Sequence, residues 1–249
     1  MIPVKTEKEV KIMEKGGRIL VKIMKELMKN IKPGICTEDL NQLAEKLIYK
    51  YKVLSSFKGF KGFPANLCIS VNEELVHGLP SKERILKKGD IVTLDLGIEY
   101  KGYHTDMAIT VGVGKITPQA KKLIKVTKKA LKAALKKVKP GKTIGDISSA
   151  IQKYVEARGF SLNQQLTGHG IGKEAHEPPL IPNVGQPNSG PKLISGMTLC
   201  LEPMVNIGTP KVKTLSDGWT VVTVDKNLSC HFEYTVLVTK KGYKILTKI

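Results

Sequence analysis

The sequence predicts an α+β protein made of two related α/β halves. Three observations carry this: a long internal repeat, helical apolar spacing ahead of the strand runs in each half, and a central β-hairpin. Lys32-Pro33-Gly34 recurs as Lys139-Pro140-Gly141, and Asp39-Leu40 as Asp146-Ile147, each 107 residues on. The run LKKGDIV from Leu86 to Val92 recurs as LISGMTL from Leu193 to Leu199 at the same 107-residue offset. One offset at three separated places argues for duplication, and its period is too long for a solenoid. Carried forward, the offset puts Asp95 on Glu202. A pseudo-twofold arrangement would set those two acids on facing strands at one site.

Taken in order, Thr6-Glu7-Lys8-Glu9 reads as the cap of a first helix running to about Asn30. Val10, Met13, Ile19, Ile23 and Leu27 give it helical spacing. Lys32-Pro33-Gly34 breaks it, and Thr37-Glu38-Asp39 opens a second helix to Lys50 with Leu40, Leu43, Ala44 and Leu47 on one face. A glycine-broken aromatic loop, Phe57 to Pro64, precedes a strand at Leu67 to Val71 and the turn His77-Gly78-Leu79-Pro80. Pro118 starts a Lys-rich helix to about Val138, whose lysines form a solvated face.

The stretch Asp95 to Asp106, DLGIEYKGYHTD, continues an apolar β-branched run. Lys101-Gly102 suits a two-residue hairpin turn, which makes Tyr100 face Tyr103 and Asp95 face Ala108. Asp106 then lies diagonally from Asp95 on the same face, within reach of a shared cation. A one-residue change in the turn would move it to the other face. Burying one carboxylate is costly and burying two costs more, and a divalent cation between them removes both penalties.

Three more residues share that pattern. His169 lies in GHGIG, where glycines allow close approach to the imidazole; Glu202 lies in LCLEP and Glu233 in CHFEYTV, both in apolar strand contexts. Carboxylates with one imidazole and no thiolate suit Mn, Fe(II), Co or Zn. Two bridging acids imply two ions holding a hydroxide between them. Taken one at a time, a strand acid is as readily a salt-bridge partner, and a histidine among glycines a loop residue. Five together point to a metal centre.

Composition bounds the classes. The chain has 249 residues, 41% of them hydrophobic, as a globular protein does. No apolar run is long enough for a membrane span, and the N-terminal stretch lacks a signal-peptide block, so the expectation is a cytoplasmic protein with no membrane partner. Cys36, Cys68, Cys200 and Cys230 are scattered with no CxxC pair, which argues against a structural zinc site or a disulfide framework. Lys plus Arg number 41 against 22 acids, a net charge of +19, and nearly all the bases are lysines. Solubility is the first reading; weak, sequence-independent attraction to ribosomal RNA is the second. Sequence-specific nucleic-acid reading would need arginine forks and stacking aromatics, and both are scarce here.

The segments GHGIG, LEPMV, DGWTVVT and CISVNEELVHGLP resemble the signature blocks of type I methionine aminopeptidases, over essentially the whole chain. The resemblance implies the pita-bread fold: two pseudo-twofold α/β halves around a central antiparallel sheet. It implies one catalytic domain over 1–249, with halves of roughly 1–115 and 116–249, and a monomer. The family's two Asp, one His and two Glu ligands of a dinuclear centre fall on Asp95, Asp106, His169, Glu202 and Glu233, at spacings of 11, 63, 33 and 31. Asp106 and Glu233 would bridge, with Asp95 and His169 on opposite ions and Glu202 as general base. His77 and His176 match the family's two non-ligand histidines, which hydrogen-bond substrate and intermediate. Phe57, Phe60, Phe63, Cys68 and Trp219 fall on the methionine pocket, and Asn72 and Ser229 on a monovalent-cation site of some relatives.

The implied activity is removal of the initiator methionine from nascent chains when the second residue is small and uncharged. The bridging hydroxide would attack the scissile amide. Several positions depart from the family pattern. Phe57, Phe60 and Phe63 stand where Cys and Tyr are common, Ala175 where an aromatic often precedes the second histidine, and Tyr234 where His is usual. The resemblance implies the form without a zinc-finger extension, and the 33 residues from His169 to Glu202 leave no room for the type II helical insertion. Two other readings stand beside this one. A proline-specific peptidase of the same fold shares the five ligands but usually carries an extra N-terminal domain. A catalytically inert scaffold on RNA or ribosomes would suit the charge but typically loses ligands.

Overall fold

A computed structural model describes residues 2–249. The first helix, α1 (Glu7–Lys29), starts at the predicted cap. The Thr6 hydroxyl accepts from the Glu9 N–H at 3.4 Å, and the Glu9 carboxylate accepts from the Thr6 N–H at 2.7 Å. Met13, Leu20, Ile23, Met24 and Leu27 are its buried stripe, with Leu20 rather than Ile19 in the fully buried position. Helix α2 (Thr37–Lys50) buries Leu40, Ala44 and Leu47 as expected, while Leu43 is only half-buried.

Five strands follow: β1 (Leu54–Ser55), β2 (Cys68–Val71), β3 (Glu74–Val76), β4 (Ile91–Tyr100) and β5 (Tyr103–Gly112). Helix α3 (Pro118–Leu135) stops short of the expected Val138. Lys137 and Val138 instead donate to the carbonyls of Ala134 and Leu135, a tightened last turn ahead of Pro140. Lys121, Lys122, Lys125, Lys128, Lys129 and Lys132 on α3 are all exposed, the solvated face that was expected. Helix α4 (Ile144–Glu156) has its own cap, with Thr143 and Asp146 exchanging bonds of 3.2 and 3.0 Å.

The second half continues with β6 (Ser161–Leu162), β7 (Thr167–Gly170), β8 (Glu177–Pro182), β9 (Thr198–Leu201) and β10 (Met204–Asn206). It ends with β11 (Val212–Thr214), β12 (Val221–Thr223), β13 (Ser229–His231), β14 (Tyr234–Thr239) and β15 (Gly242–Ile245). All the pairings are antiparallel. β4 lies between β5 and the edge formed by β1 and β2; the largest ladder runs β15-β14-β9-β7-β8. The two are tied where Glu233 N–H donates to the Ala108 carbonyl at 2.9 Å. Helix α1 packs on α2, β4 and β5, and α3 and α4 pack on each other and on strands of the second half.

The internal repeat is visible in the backbone. Gly34 N–H donates to the Leu86 carbonyl at 2.8 Å, and 107 residues on Gly141 N–H donates to Leu193 at 3.1 Å. Leu86 N–H returns to Ile35 at 2.9 Å, and Leu193 N–H returns to Lys142 at 2.7 Å. One buried apolar cluster runs through both halves, from Leu20 and Leu94 to Leu123, Leu199 and Val236. Among the described residues no helix is long and apolar enough to cross a membrane.

Candidate metal centre and active site

The hairpin has the predicted register. Tyr100 pairs with Tyr103, Asp95 with Ala108, and Asp106 with Gly97. The two carboxylates therefore share a face in mid-strand, where the flanking residues are buried. From the other half, Glu202 follows β9 directly, Glu233 sits between β13 and β14, and His169 is on β7. All five line one cavity of about 420 Å³.

The donor set fits a divalent centre. Single oxygens of Asp95, Asp106 and Glu233 lie within 4.8 Å of one another. Asp95 Oδ1, Asp106 Oδ1 and Glu233 Oε1 are buried with no hydrogen-bond partner, an arrangement that costs stability unless something positive meets them. Burial pushes the Asp106 carboxyl up to about 7. Burial, followed by the neighbouring Asp106, raises Asp95, Glu202 and Glu233 well above the usual carboxylate range. Like charges packed in low dielectric explain the direction, and cations would reverse it.

His169 could serve as a neutral donor. Its Nδ1–H donates to the Gly170 carbonyl at 2.8 Å, leaving Nε2 with a free lone pair 3.6 Å from Glu202 Oε1. Burial lowers its pKa to about 4, so it carries no proton on Nε2 near neutrality. The glycines around it act differently from expectation. A Cβ at Gly168 would sit 2.4 Å from the Cys200 carbonyl, and one at Gly170 would sit 2.3 Å from the Pro178 carbonyl. They allow β7 to pack between β8 and β9; the close approach is backbone to backbone. Cys200 Sγ also lies near His169 and Glu233, but burial raises its thiol pKa, so it stays a thiol and a poor ligand.

His77 and His176 line the same cavity. His77 holds a left-handed backbone (φ 57°) after β3. The His176 ring is stacked between Phe60 and His169, with ring centroids 5.1 and 4.0 Å away. Burial lowers the His176 pKa to about 3, so it is a neutral N–H donor. Phe57, Phe63 and Cys68 form a buried apolar wall joined by Trp219, whose ring meets Phe63 edge-on at 5.1 Å. Phe60 completes the lining. Asn72 and Ser229 are brought together outside the cavity: the Ser229 N–H donates to the Asn72 carbonyl at 2.9 Å and its hydroxyl does so at 3.2 Å.

One imidazole of the site went unread in the sequence. His231, fully buried, lies 3.5 Å from Glu202 and 4.0 Å from Glu233 through Nε2. It stands only two residues before Glu233, but no motif marks it. Lys61, Gln165, Leu166, Thr167 and Met204 also line the cavity unforeseen.

Residues 11–240 match the model of metallopeptidase family M24, and the chain belongs to that family. Within it, the full-length likeness is to the type I methionine aminopeptidases. Methionine aminopeptidase 1 of Bacillus subtilis is 50% identical over the whole of both chains. The crystal structure of methionine aminopeptidase from Thermotoga maritima superposes with a TM-score of 0.98 at 44% identity, again over the whole of both chains. The prolidase from Pyrococcus horikoshii shares the pita-bread fold at a TM-score of 0.80 and 27% identity, with 98% of this chain covering 63% of that one.

Proposed function

We propose that this chain is a dinuclear-metal methionyl aminopeptidase of the cytoplasm. It removes the N-terminal methionine from nascent chains when the next residue is small and uncharged. The observation that carries the reading is the convergence of Asp95, Asp106, His169, Glu202 and Glu233 beside an apolar wall of Phe57, Phe63, Cys68 and Trp219. Such a wall suits an unbranched thioether.

Asp95, Asp106, His169, Glu202 and Glu233 would hold two divalent ions; Co, Mn, Fe(II) and Zn all suit the donors. Bound divalent ions supply a hydroxide near neutral pH and polarise a carbonyl. The chain does the rest. The Phe57, Phe60, Phe63, Cys68 and Trp219 pocket holds the methionine side chain and excludes water. His77 and His176, neutral at their ring nitrogens, donate to the substrate amide and to the oxygen that gains charge. Glu202 would take a proton from the water whose oxygen attacks the scissile carbonyl carbon, and would pass it to the amine nitrogen as the C–N bond breaks. The domain reading is one catalytic unit with halves of roughly 1–115 and 116–249, acting as a monomer. A monovalent cation near Asn72 and Ser229, and electrostatic association with ribosomes through the +19 charge, complete the reading.

Metal-reconstituted protein assayed on Met-Ala-Ser and on Xaa-Pro peptides tests it. Cleavage of Met-Ala-Ser, lost in Glu202→Gln, is the expected result. Turnover of Xaa-Pro alone would replace this reading with the prolidase one, and no turnover with any metal would favour an inert scaffold.

A further inference from the structure

We propose that His231 is a metal ligand, adding a second imidazole to the centre through the Glu202–Glu233 side. This rests on the reading that Glu202 and Glu233 hold metal.

The first support is pseudo-symmetry. In the first half, Asp95 faces Ala108 and Gly97 faces Asp106. In the second half, Leu201 pairs with Tyr234 and Met204 pairs with His231, one register that sets Glu202 opposite Glu233. Asp95 and Gly97 correspond to Glu202 and Met204 at the 107-residue offset. Glu233 therefore occupies the place of Ala108, and His231 the place of Asp106. The duplicated scaffold delivers a donor to the centre at both equivalent positions, a carboxylate in one half and an imidazole in the other.

The second support is local. Both ring nitrogens of His231 are buried without any hydrogen-bond partner. Nε2 stands 3.5 Å from Glu202 Oε2 and 4.0 Å from Glu233 Oε2, and the three groups fall within 4.8 Å of one another. Those separations are too long for good hydrogen bonds and suit donors around one ion with bonds of roughly 2.0–2.2 Å. Glu202 thus lies between two imidazoles, with His169 at its other oxygen, 3.6 Å away. An added imidazole also moves an otherwise oxygen-rich site toward Zn, Fe or Co and away from Mn.

Cobalt(II) titrated into metal-free protein tests this without any assay of turnover. With both ions bound, the native chain should show two paramagnetically shifted, exchangeable imidazole N–H signals, one each from His169 and His231. His231→Gln should show one, with the affinity for one ion weakened by about tenfold or more by calorimetry. His231→Asn is the second variant, and near-UV circular dichroism checks the fold of both. A single imidazole signal in the native chain with two cobalt ions bound would overturn the proposal. So would a native-like cobalt affinity in His231→Gln, leaving His231 as a neighbour that only positions Glu202. Failure of the native chain to bind cobalt at all would instead remove the metal reading beneath it.

Discussion

The hydroxyl of Thr235 holds Asp106 by its backbone. It accepts from the Asp106 N–H at 2.9 Å and donates to the Asp106 carbonyl at 2.7 Å. This joins β5 of the first half to β14 of the second at the residue whose carboxylate faces the centre. Thr235→Val keeps the shape and leaves the buried Asp106 N–H without a partner. The Asp106 carbonyl keeps only a long 3.4 Å bond from Thr247. The expected cost is about 1–3 kcal/mol in chemical denaturation, with Thr235→Ser restoring most of it. Unchanged stability in the valine variant would mean the halves are joined elsewhere.

Phe60 and His176 stack with their planes 15° apart, and this contact holds a cavity-lining imidazole through a loop residue. Aromatic pairs of this kind contribute about 0.5–1.5 kcal/mol. Phe60→Ala is therefore expected to raise KM for Met-Ala-Ser by roughly 2–10-fold while metal content stays native. Phe60→Tyr should behave like the native chain. A KM that does not move would show that His176 is positioned by His169 alone.

Metal removal should make stability depend on pH in a definite direction. Asp106 has its carboxyl raised from 3.8 to about 7 by burial, so the metal-free fold binds a proton that the unfolded chain has already released across that window. Stability of the metal-free protein then falls as pH rises through it. Bound cations hold the carboxylates ionised, so the gain in Tm on adding metal should be larger at about pH 8 than at about pH 5. A metal-free Tm that rises with pH over that range would show that the carboxyls ionise without cost.

Much of the centre was legible because short-range rules fix it. The two-residue turn at Lys101-Gly102 sets the register of β4 and β5, and a strand alternates faces, so Asp95 and Asp106 had to meet. Acids inside apolar runs marked Glu202 and Glu233, and the 107-residue repeat placed Glu202 opposite the hairpin.

His231 was invisible for a related reason. Gly97 and Met204 keep the 107-residue offset, but Asp106 and His231 are 125 residues apart, because β11, β12 and their loops lengthen the second-half connection. The simple repeat therefore misses the correspondence. Only the pairings of β10 with β13 and β9 with β14 reveal it.

The sequence by itself determined the duplicated α/β plan, the hairpin register and the capped helices, since each follows from local turn chemistry, periodicity or a fixed offset, and it marked Asp95, Asp106, His169, Glu202 and Glu233 as candidate metal ligands. Tertiary structure alone decided three things: the Phe60–His176–His169 stack, the tie from Thr235 to Asp106, and the burial of His231 between two glutamates. The Phe60–His176 and Thr235–Asp106 contacts join residues far apart in the chain across the two halves, and the burial of His231 against Glu202 depends on the pairing of β10 with β13 within the second. Such contacts depend on how the packed core orients one half against the other, and no local rule encodes that.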